Sequence, residues 1–408
     1  MSTVLIIGYV WPEPDSSAAG RRMLQLIRLF QSQGMKVVFS SPAQRTGNGS
    51  DLEETGVETR QIELNNSSFD VFIEGLRPQI VMFDRYMMEE QFGWRVNEKC
   101  PEAIRILDTE DLHFLRKARH KAVKNNAEAD LFEGDLVLRE LASIYRSDLT
   151  LIISEAEMKL LKDVFKLPDE LLMYLPFLED PIRQSDIKAW KPFEERSHFI
   201  FIGNFLHAPN WDAVLYLKKH VWPLIRKQLP QVELHIYGAY ATQKVFDLHQ
   251  EQQGFLIKGK AENAREVMQA ARVCIAPLRF GAGLKGKLIE AMQCGTPSVT
   301  TEVGAEGIKG DLEWNGFVTG DPVSMARMAA VLYTGKTQWY EAQASGISIL
   351  NKRFDAAVFK KNLIYAIDRL QYDQDRHRRV NILGRMLNHQ TMQSYRYMAK
   401  WIEEKNKN

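Results

Sequence analysis

Arg279, Lys285, Lys287 and Glu290 crowd around one short turn, Phe280-Gly281-Ala282-Gly283-Leu284. The two glycines permit positive φ and close approach of backbone to a ligand. A turn of this kind that runs straight into a helix makes an anion site, because unpaired N–H groups and the positive end of the helix dipole converge there. Three cations around that point can neutralise a diphosphate. Glu290, about one turn beyond Lys287, suits a carboxylate that accepts hydrogen bonds from vicinal hydroxyls, as on a ribose. The same residues could also form a plain β-turn-α unit with solvated lysines. The combination of cations and carboxylate at this spacing favours the ligand site.

The flanking residues must position this group. Val273 to Leu278 is an apolar run short enough to be a buried strand, and a helix is expected from Lys285 to Gln293. Its Leu284, Leu288, Ala291 and Met292 fall on one face, which should pack on a sheet. Lys287 and Glu290 share another face and are expected to stay free for chemistry. Gly295 stops the helix, Pro297 prevents its continuation, and Ser298–Thr301 starts the next strand.

The run PLRFGAGLKGKLIEAMQCGTPSVTT, followed by GAEGI, resembles the C-terminal signature of retaining GT-B glycosyltransferases of family four (glycosyl transferases group 1). The resemblance implies that Gly281, Ala282, Gly283, Leu284, Lys287, Arg279 and Glu290 bind the donor nucleotide-sugar, with Glu290 on the ribose. The family's common pattern has two glutamates eight positions apart; here the first is Ala282. FIGNFLHAPNWDAVLYL resembles the first βα unit of the family's C-terminal domain. Gly203 is in place, but Asn204 and Pro209 stand where the family has an arginine and a lysine against the donor diphosphate. Arg279, Lys287 and His207 are expected to compensate. Gly259, with Ala261, sits where the family lets the base approach backbone.

Length and composition bound the rest. A chain of 408 residues should hold about two domains. Hydrophobic content of 45% and charged content of 26% are ordinary globular values. A net charge of +1 argues against nucleic-acid binding. Cys100, Cys274 and Cys294 form no CxxC pair and read as reduced thiols. No apolar run approaches the ~20 residues of a membrane span. The expected location is the cytoplasm, with peripheral contact to the inner face of the membrane left open.

Taken in order, the chain alternates strands and helices, which favours parallel sheets. Val4–Gly8, Lys36–Ser41, Gln79–Phe83, Ala103–Leu107, Leu149–Ile153 and Leu171–Leu178 read as strands. Ala19-Gly20-Arg21 opens a helix whose stripe is Met23, Leu26, Ile27 and Phe30. The loop before it lacks GxGxxG. By resemblance, Ala19, Gly20 and Arg21 face the donor phosphates and the acceptor; simple helix entry explains them equally well. Asp108 to His113 puts polar residues at a strand's C-terminal edge, where open α/β sheets place ligands. The family often holds a histidine here that contacts the donor sugar. Glu110 takes the usual histidine position, with His113 three residues later, so Asp111 and His113 are candidate catalytic residues beside Lys287; a helix cap with a partly buried histidine is the competing reading. The basic cluster Arg116, Lys117, Arg119, Lys121 and Lys124 reads as a solvated helix paired with its acidic neighbour, ahead of a surface for lipid or a phosphate-bearing acceptor. Ser154 and Glu157 match a capping box.

Glu179–Glu195 turns polar and proline-bearing, as a linker would. The second half again reads strand, loop and helix: His198–Ile202, a helix Asn210–Gln228, Val232–Tyr237, Phe255–Ile257 and a helix Glu262–Ala271. Helices Met325–Leu332, Gln338–Leu350 and Ala356–Tyr372 follow, and a helical run lies near Met392–Ile402. The expected architecture is α/β and GT-B: two Rossmann-like domains facing across a cleft, with C-terminal helices crossing back. Residues 1–185 would form the acceptor domain, 196–370 the donor domain and 371–408 a helical tail on the first.

The activity implied is transfer of a sugar from a nucleotide-diphosphate sugar to a sugar, lipid-linked or protein acceptor, with retention, and with no metal or other cofactor. The alternatives are a non-catalytic GT-B partner or glycan-binding protein, favoured by Ala282, Asn204 and Pro209, and a nucleotide-sugar epimerase.

Overall fold

A computed structural model of the chain describes residues 2–45 and 51–406; residues 1, 46–50, 407 and 408, which belong to the expected first domain and tail, lie outside it. Every strand pairing within its two sheets is parallel. The first sheet is built from β1 (Thr3–Ile7), β2 (Lys36–Ser41), β3 (Glu58–Gln61), β4 (Ile80–Asp84), β5 (Ile104–Asp108), β6 (Leu149–Ile152) and β7 (Leu172–Tyr174), in the order β3-β2-β1-β4-β5-β6-β7. The second contains β8 (Ser197–Ile202), β9 (Leu234–Tyr237), β10 (Phe255–Gly259), β11 (Ala271–Ala276), β12 (Ser298–Thr300) and β13 (Gly316–Val318), in the order β10-β9-β8-β11-β12-β13. Strand order reverses beside β1 in one sheet and beside β8 in the other. Loops leaving strands on either side of such a reversal diverge, and the crevice between them accepts ligands.

Covering helices bury apolar residues on both faces of the first sheet. Val4, Ile6, Leu26, Phe30 and Ile104 meet on one face, and Leu5, Ile7, Val81, Phe92 and Leu107 on the other. The helix Ala18–Ser32 starts at Ser17, whose hydroxyl accepts the Gly20 N–H at 3.0 Å. It carries one buried charge. Arg22, 1% exposed, donates to Asp108 at 2.9 Å and to the carbonyls of Leu175 and Pro176 at 2.7 and 2.9 Å. These bonds tie β5 to the chain leaving β7. Arg22→Met should destabilise the protein by about 3–5 kcal/mol, because it strands the Asp108 carboxylate in the core. Denaturant unfolding would measure it, and a loss under about 1 kcal/mol would mean that solvent reaches Asp108.

Several elements depart from the sequence reading. β3 has no counterpart there: Glu-Thr-Arg-Gln is polar throughout, and only its edge pairing with β2 makes it a strand. The expected strand Leu171–Leu178 shortens to Leu172–Tyr174, since the following carbonyls serve Arg22 instead of a neighbour. The expected helix Asn210–Gln228 runs from Ala208 to Gln228 but passes through a π turn at Leu217–Val221. Pro223, which has no N–H to give to the preceding turn, lies just beyond that widening.

The return to the first sheet begins before the expected tail. Glu179 and Asp355 form a parallel bridge, with Glu179 N–H donating to Phe354 and Ala356 N–H to Glu179, both at 2.9 Å. The helix Ala356–Val380 then places Leu363, Ile367 and Leu370 in the first half's core. The last helix, Ile382–Asn406, lies along Tyr86–Lys99 and Asp135–Arg146, with Ala399 on Trp94 and Arg396 paired to Glu98 at 3.2 Å. No helix among the described residues is long and apolar enough to cross a membrane. All three cysteines are free, Cys274 and Cys294 within the second half's core.

Candidate functional site

The loops at the C-terminal ends of β1, β4 and β5 face those of β8, β9 and β11 across a cavity of about 840 Å³. That volume suits a nucleotide-sized ligand. Of the residues singled out from sequence, Ala19, Gly20, Arg21, Asp111, His113, Gly203, Asn204, His207, Gly281, Ala282, Gly283, Leu284, Lys285, Lys287 and Glu290 line it. Gly259 and Arg279 do not. Gly259 ends β10, and its neighbours Lys260 and Ala261 supply that part of the wall. Arg279 leaves the strand on the outer side, where it is exposed, paired with Asp212 and stacked 5.2 Å over the Tyr216 ring. A guanidinium already held by a carboxylate outside the cleft is not the diphosphate grip expected of it.

The glycine turn is as tight as its residues suggested. Gly281 and Gly283 have φ of 151° and 62°. A Cβ on Gly283 would lie 2.9 Å from Asp111 Cβ and 3.2 Å from the Glu110 carbonyl, so a larger residue would push the two halves apart. One carboxylate fastens the turn to the opposite loop. Glu157 Oε1 accepts the Gly283 N–H at 2.7 Å and the Leu112 N–H at 3.1 Å. Glu157 therefore forms no capping box with Ser154, whose side chain caps nothing. Burial, with Asp111 nearby, pushes the Glu157 carboxyl up to about 7. Lys285 plugs the turn, with Nζ 2.7 Å from the Gly283 carbonyl and 3.3 Å from that of Ala282.

The helix Gly286–Gln293 opens against the start of Ala18–Ser32. A Cβ on Gly286 would come within 2.4 Å of Ala18 Cβ. Arg21 exploits this closeness: it donates to the Gly286 carbonyl at 3.3 Å and pairs with Glu290 at 3.3 Å across the cleft. Lys287 is not the free surface cation expected. Its Nζ bonds Asn210 Oδ1, sits 4.1 Å over the Phe201 ring and touches the space beneath Gly203. Burial draws its pKa down to about 7, so an incoming anion meets an amine poised to gain a proton.

On the first half, Asp111 pairs with Arg116 and lies 3.4 Å from His113 Nε2. Burial lowers His113 to about 4, leaving a neutral imidazole set edge-on 5.5 Å from Tyr86. Burial beside Asp108 raises Glu110 to about 8, so at neutral pH it carries a proton it can donate. Its φ of 60° presents it to the cavity. His207, at the start of the helix Ala208–Tyr216, is also held neutral, first by burial and then by Arg116.

Sequence reasoning missed Arg85, Glu13 and Tyr240. Arg85, φ 70°, follows β4 and lines the cavity beside Asp84; its place directly after a buried strand was the available signal. Tyr240 donates to Glu13 at 2.7 Å, closing the cleft on the β9 side. No local pattern links residues so far apart in the chain. The basic cluster resolves residue by residue. Arg116 enters the cavity, Arg119 forks onto Glu306 at 2.7 Å across the two halves, and Lys121 pairs with Glu133.

Residues 196–334 match the family model described as glycosyl transferases group 1. The whole fold is GT-B. Sucrose-phosphate synthase from Thermosynechococcus elongatus is similar over 91% of this chain and 99% of its own, at 15% identity and a TM-score of 0.67. HepE of Anabaena, solved with UDP and glucose, is similar over 90% and 100%, at 15% identity and a TM-score of 0.64. A variant of TarM from S. aureus, solved with fondaparinux, alpha-GlcNAc-glycerol and UDP, is similar over 90% and 100%, at 10% identity and a TM-score of 0.68. No curated protein matches the chain.

Proposed function

We propose that the chain is a glycosyltransferase that moves a sugar from a nucleoside-diphosphate sugar to an acceptor, with retention and without a metal ion. The observation that carries this is the convergence on one cavity, between two Rossmann-like halves, of the Gly281–Gly283 turn, the helix that follows it, Lys287 and Glu290. The donor diphosphate lies against the turn and the first N–H groups of the helix, with Lys287 supplying charge from beneath. As the bond from the anomeric carbon to the diphosphate oxygen breaks, negative charge grows on the leaving group, where preorganised dipoles and cations stabilise it most. His113, neutral, and Glu110, protonated, suit hydrogen bonds to sugar hydroxyls. Asn204 and Pro209 cannot offset phosphate charge, and with Arg279 turned outward the remaining cations of the cavity among the described residues are Arg21, Arg85, Arg116, Lys260, Lys285 and Lys287. The group 1 domain, and the UDP bound by HepE and TarM, support a nucleotide-sugar donor. The sugars named with UDP in those two structures support a sugar acceptor.

Calorimetry with UDP, GDP, ADP and TDP tests the reading, followed by product analysis with the matching sugar nucleotides. One of the four should bind well above the rest and its sugar form should turn over; binding by none would overturn the proposal. Glu290→Gln separates ribose from phosphate recognition. It should weaken both the nucleoside and its diphosphate by about 1.5–3 kcal/mol, the scale of hydrogen bonds to a charged acceptor. Equal affinity in wild type and variant would remove Glu290 from the ribose.

A further inference from the structure

A second cavity, of about 610 Å³, opens at the opposite edge of the first sheet from the donor cleft. It lies at the N-terminal ends of β5 and β6, where the helices Ala356–Val380 and Ile382–Asn406 meet. Arg105, Arg146, Arg378 and Arg385 line it with His377 and His389, and Asp148 is the one acidic residue among the described residues that line it.

The charges do not balance. Arg146 is satisfied by Glu89 behind it. Asp148 is shared by two guanidiniums: Arg378 takes both oxygens at 2.7 Å, and Arg105 is left at 3.6 Å. Arg105 is 7% exposed; one terminal nitrogen finds Asn97 at 3.0 Å, while its buried Nε has no acceptor among the described residues. Arg385, at the mouth, is exposed and makes no ion pair among the described residues. The chain around it is basic: from Arg376 to Ile402 there is no Asp or Glu, and although Arg376 pairs with Asp373 and Arg396 with Glu98, Arg379 adds to the excess. An apolar rim completes the mouth, where Ile382 and Met386 line the cavity and are each more than half exposed.

We propose that this cavity is a second binding site, for a phosphate group, separate from the donor cleft. An oxyanion entering between Arg105 and Arg385 supplies the acceptor charge that Asp148 alone cannot. The phosphate can belong to a soluble phosphomonoester or to a phospholipid headgroup whose chains lie over Ile382 and Met386.

The full chain is titrated with glycerol 3-phosphate and is sedimented with phosphatidylcholine vesicles, with and without phosphatidylglycerol. Arg385→Glu reverses a charge in the mouth; Arg379→Glu reverses one nearby that does not line the cavity. Arg385→Glu should weaken binding by about tenfold or more, while Arg379→Glu and Lys287→Ala leave it unchanged. Loss confined to glycerol 3-phosphate marks a soluble ligand; loss on phosphatidylglycerol vesicles, with or without the soluble compound, marks the lipid. Absence of binding in both arms overturns the site. So does equal loss in Arg379→Glu and Arg385→Glu, which is diffuse surface attraction, or loss in Lys287→Ala, which places the phosphate in the donor cleft.

Discussion

Binding of the cognate nucleoside diphosphate should take up close to one proton per site at pH 8, and Lys287 should be the group that takes it. In the empty cleft, burial holds this amine near 7, so at pH 8 it is mostly neutral. A diphosphate placed against it restores an opposite charge and raises its pKa towards the ordinary lysine value of about 10.4. The bound pKa exceeds the free one. The extra affinity is therefore fully present below pH 7 and is lost as pH rises through the bound value, by up to about tenfold per unit. The ligand's own terminal phosphate, with a second pKa of about 6, is already ionised at pH 8 and does not mimic the effect. Calorimetry in two buffers of different ionisation enthalpy reads the uptake directly. Lys287→Met should abolish it, flatten the pH dependence and leave affinity for the bare nucleoside nearly unchanged. Arg279→Ala should alter none of the three, because Arg279 spends its charge on Asp212 outside the cleft. No proton uptake by the wild type would mean that the phosphate lies away from Lys287.

The contrast between those two cations shows what the sequence could and could not specify. The glycine turn, the helix it opens and the carboxylate on it are local features, set by residues at most four apart, and all fall on the cavity. Strand and helix alternation was equally legible, because buried parallel strands are short apolar runs. Side-chain direction was not. Arg279 precedes the turn by two residues, yet the path of the chain out of β11 sends it to Asp212, sixty-seven positions away. Lys287 lies on a polar face of its helix, but the loop after β8 folds over that face and buries it. β3 was invisible because an edge strand owes its existence to β2 and not to its own residues. The ties across the cleft, Arg21 to Glu290, Tyr240 to Glu13 and Arg119 to Glu306, join residues whose separation no spacing rule spans.

Glu157 turns that last point into a second large expected effect. Its pattern with Ser154 matched a helix cap, a role worth about 1 kcal/mol. In the structure it instead joins Leu112, in the loop after β5, to Gly283, in the glycine turn, by accepting both backbone N–H groups on one oxygen. Glu157→Leu leaves two buried donors without acceptors, each costing about 1–3 kcal/mol. It should therefore lower stability by about 2–6 kcal/mol and also loosen the turn, so that nucleoside diphosphate binds more weakly even in protein that remains folded. Glu157→Gln keeps an oxygen in place. Because burial already pushes the carboxyl up to about 7, the neutral amide resembles the state Glu157 occupies for much of the time near neutral pH. The glutamine variant should unfold within about 1 kcal/mol of wild type and bind the diphosphate normally. Denaturant unfolding and calorimetry on the pair distinguish the outcomes. If both variants lose stability alike, Glu157 acts through its negative charge and not as the shared acceptor. If the leucine variant binds as wild type does, the turn holds its shape without the opposite half.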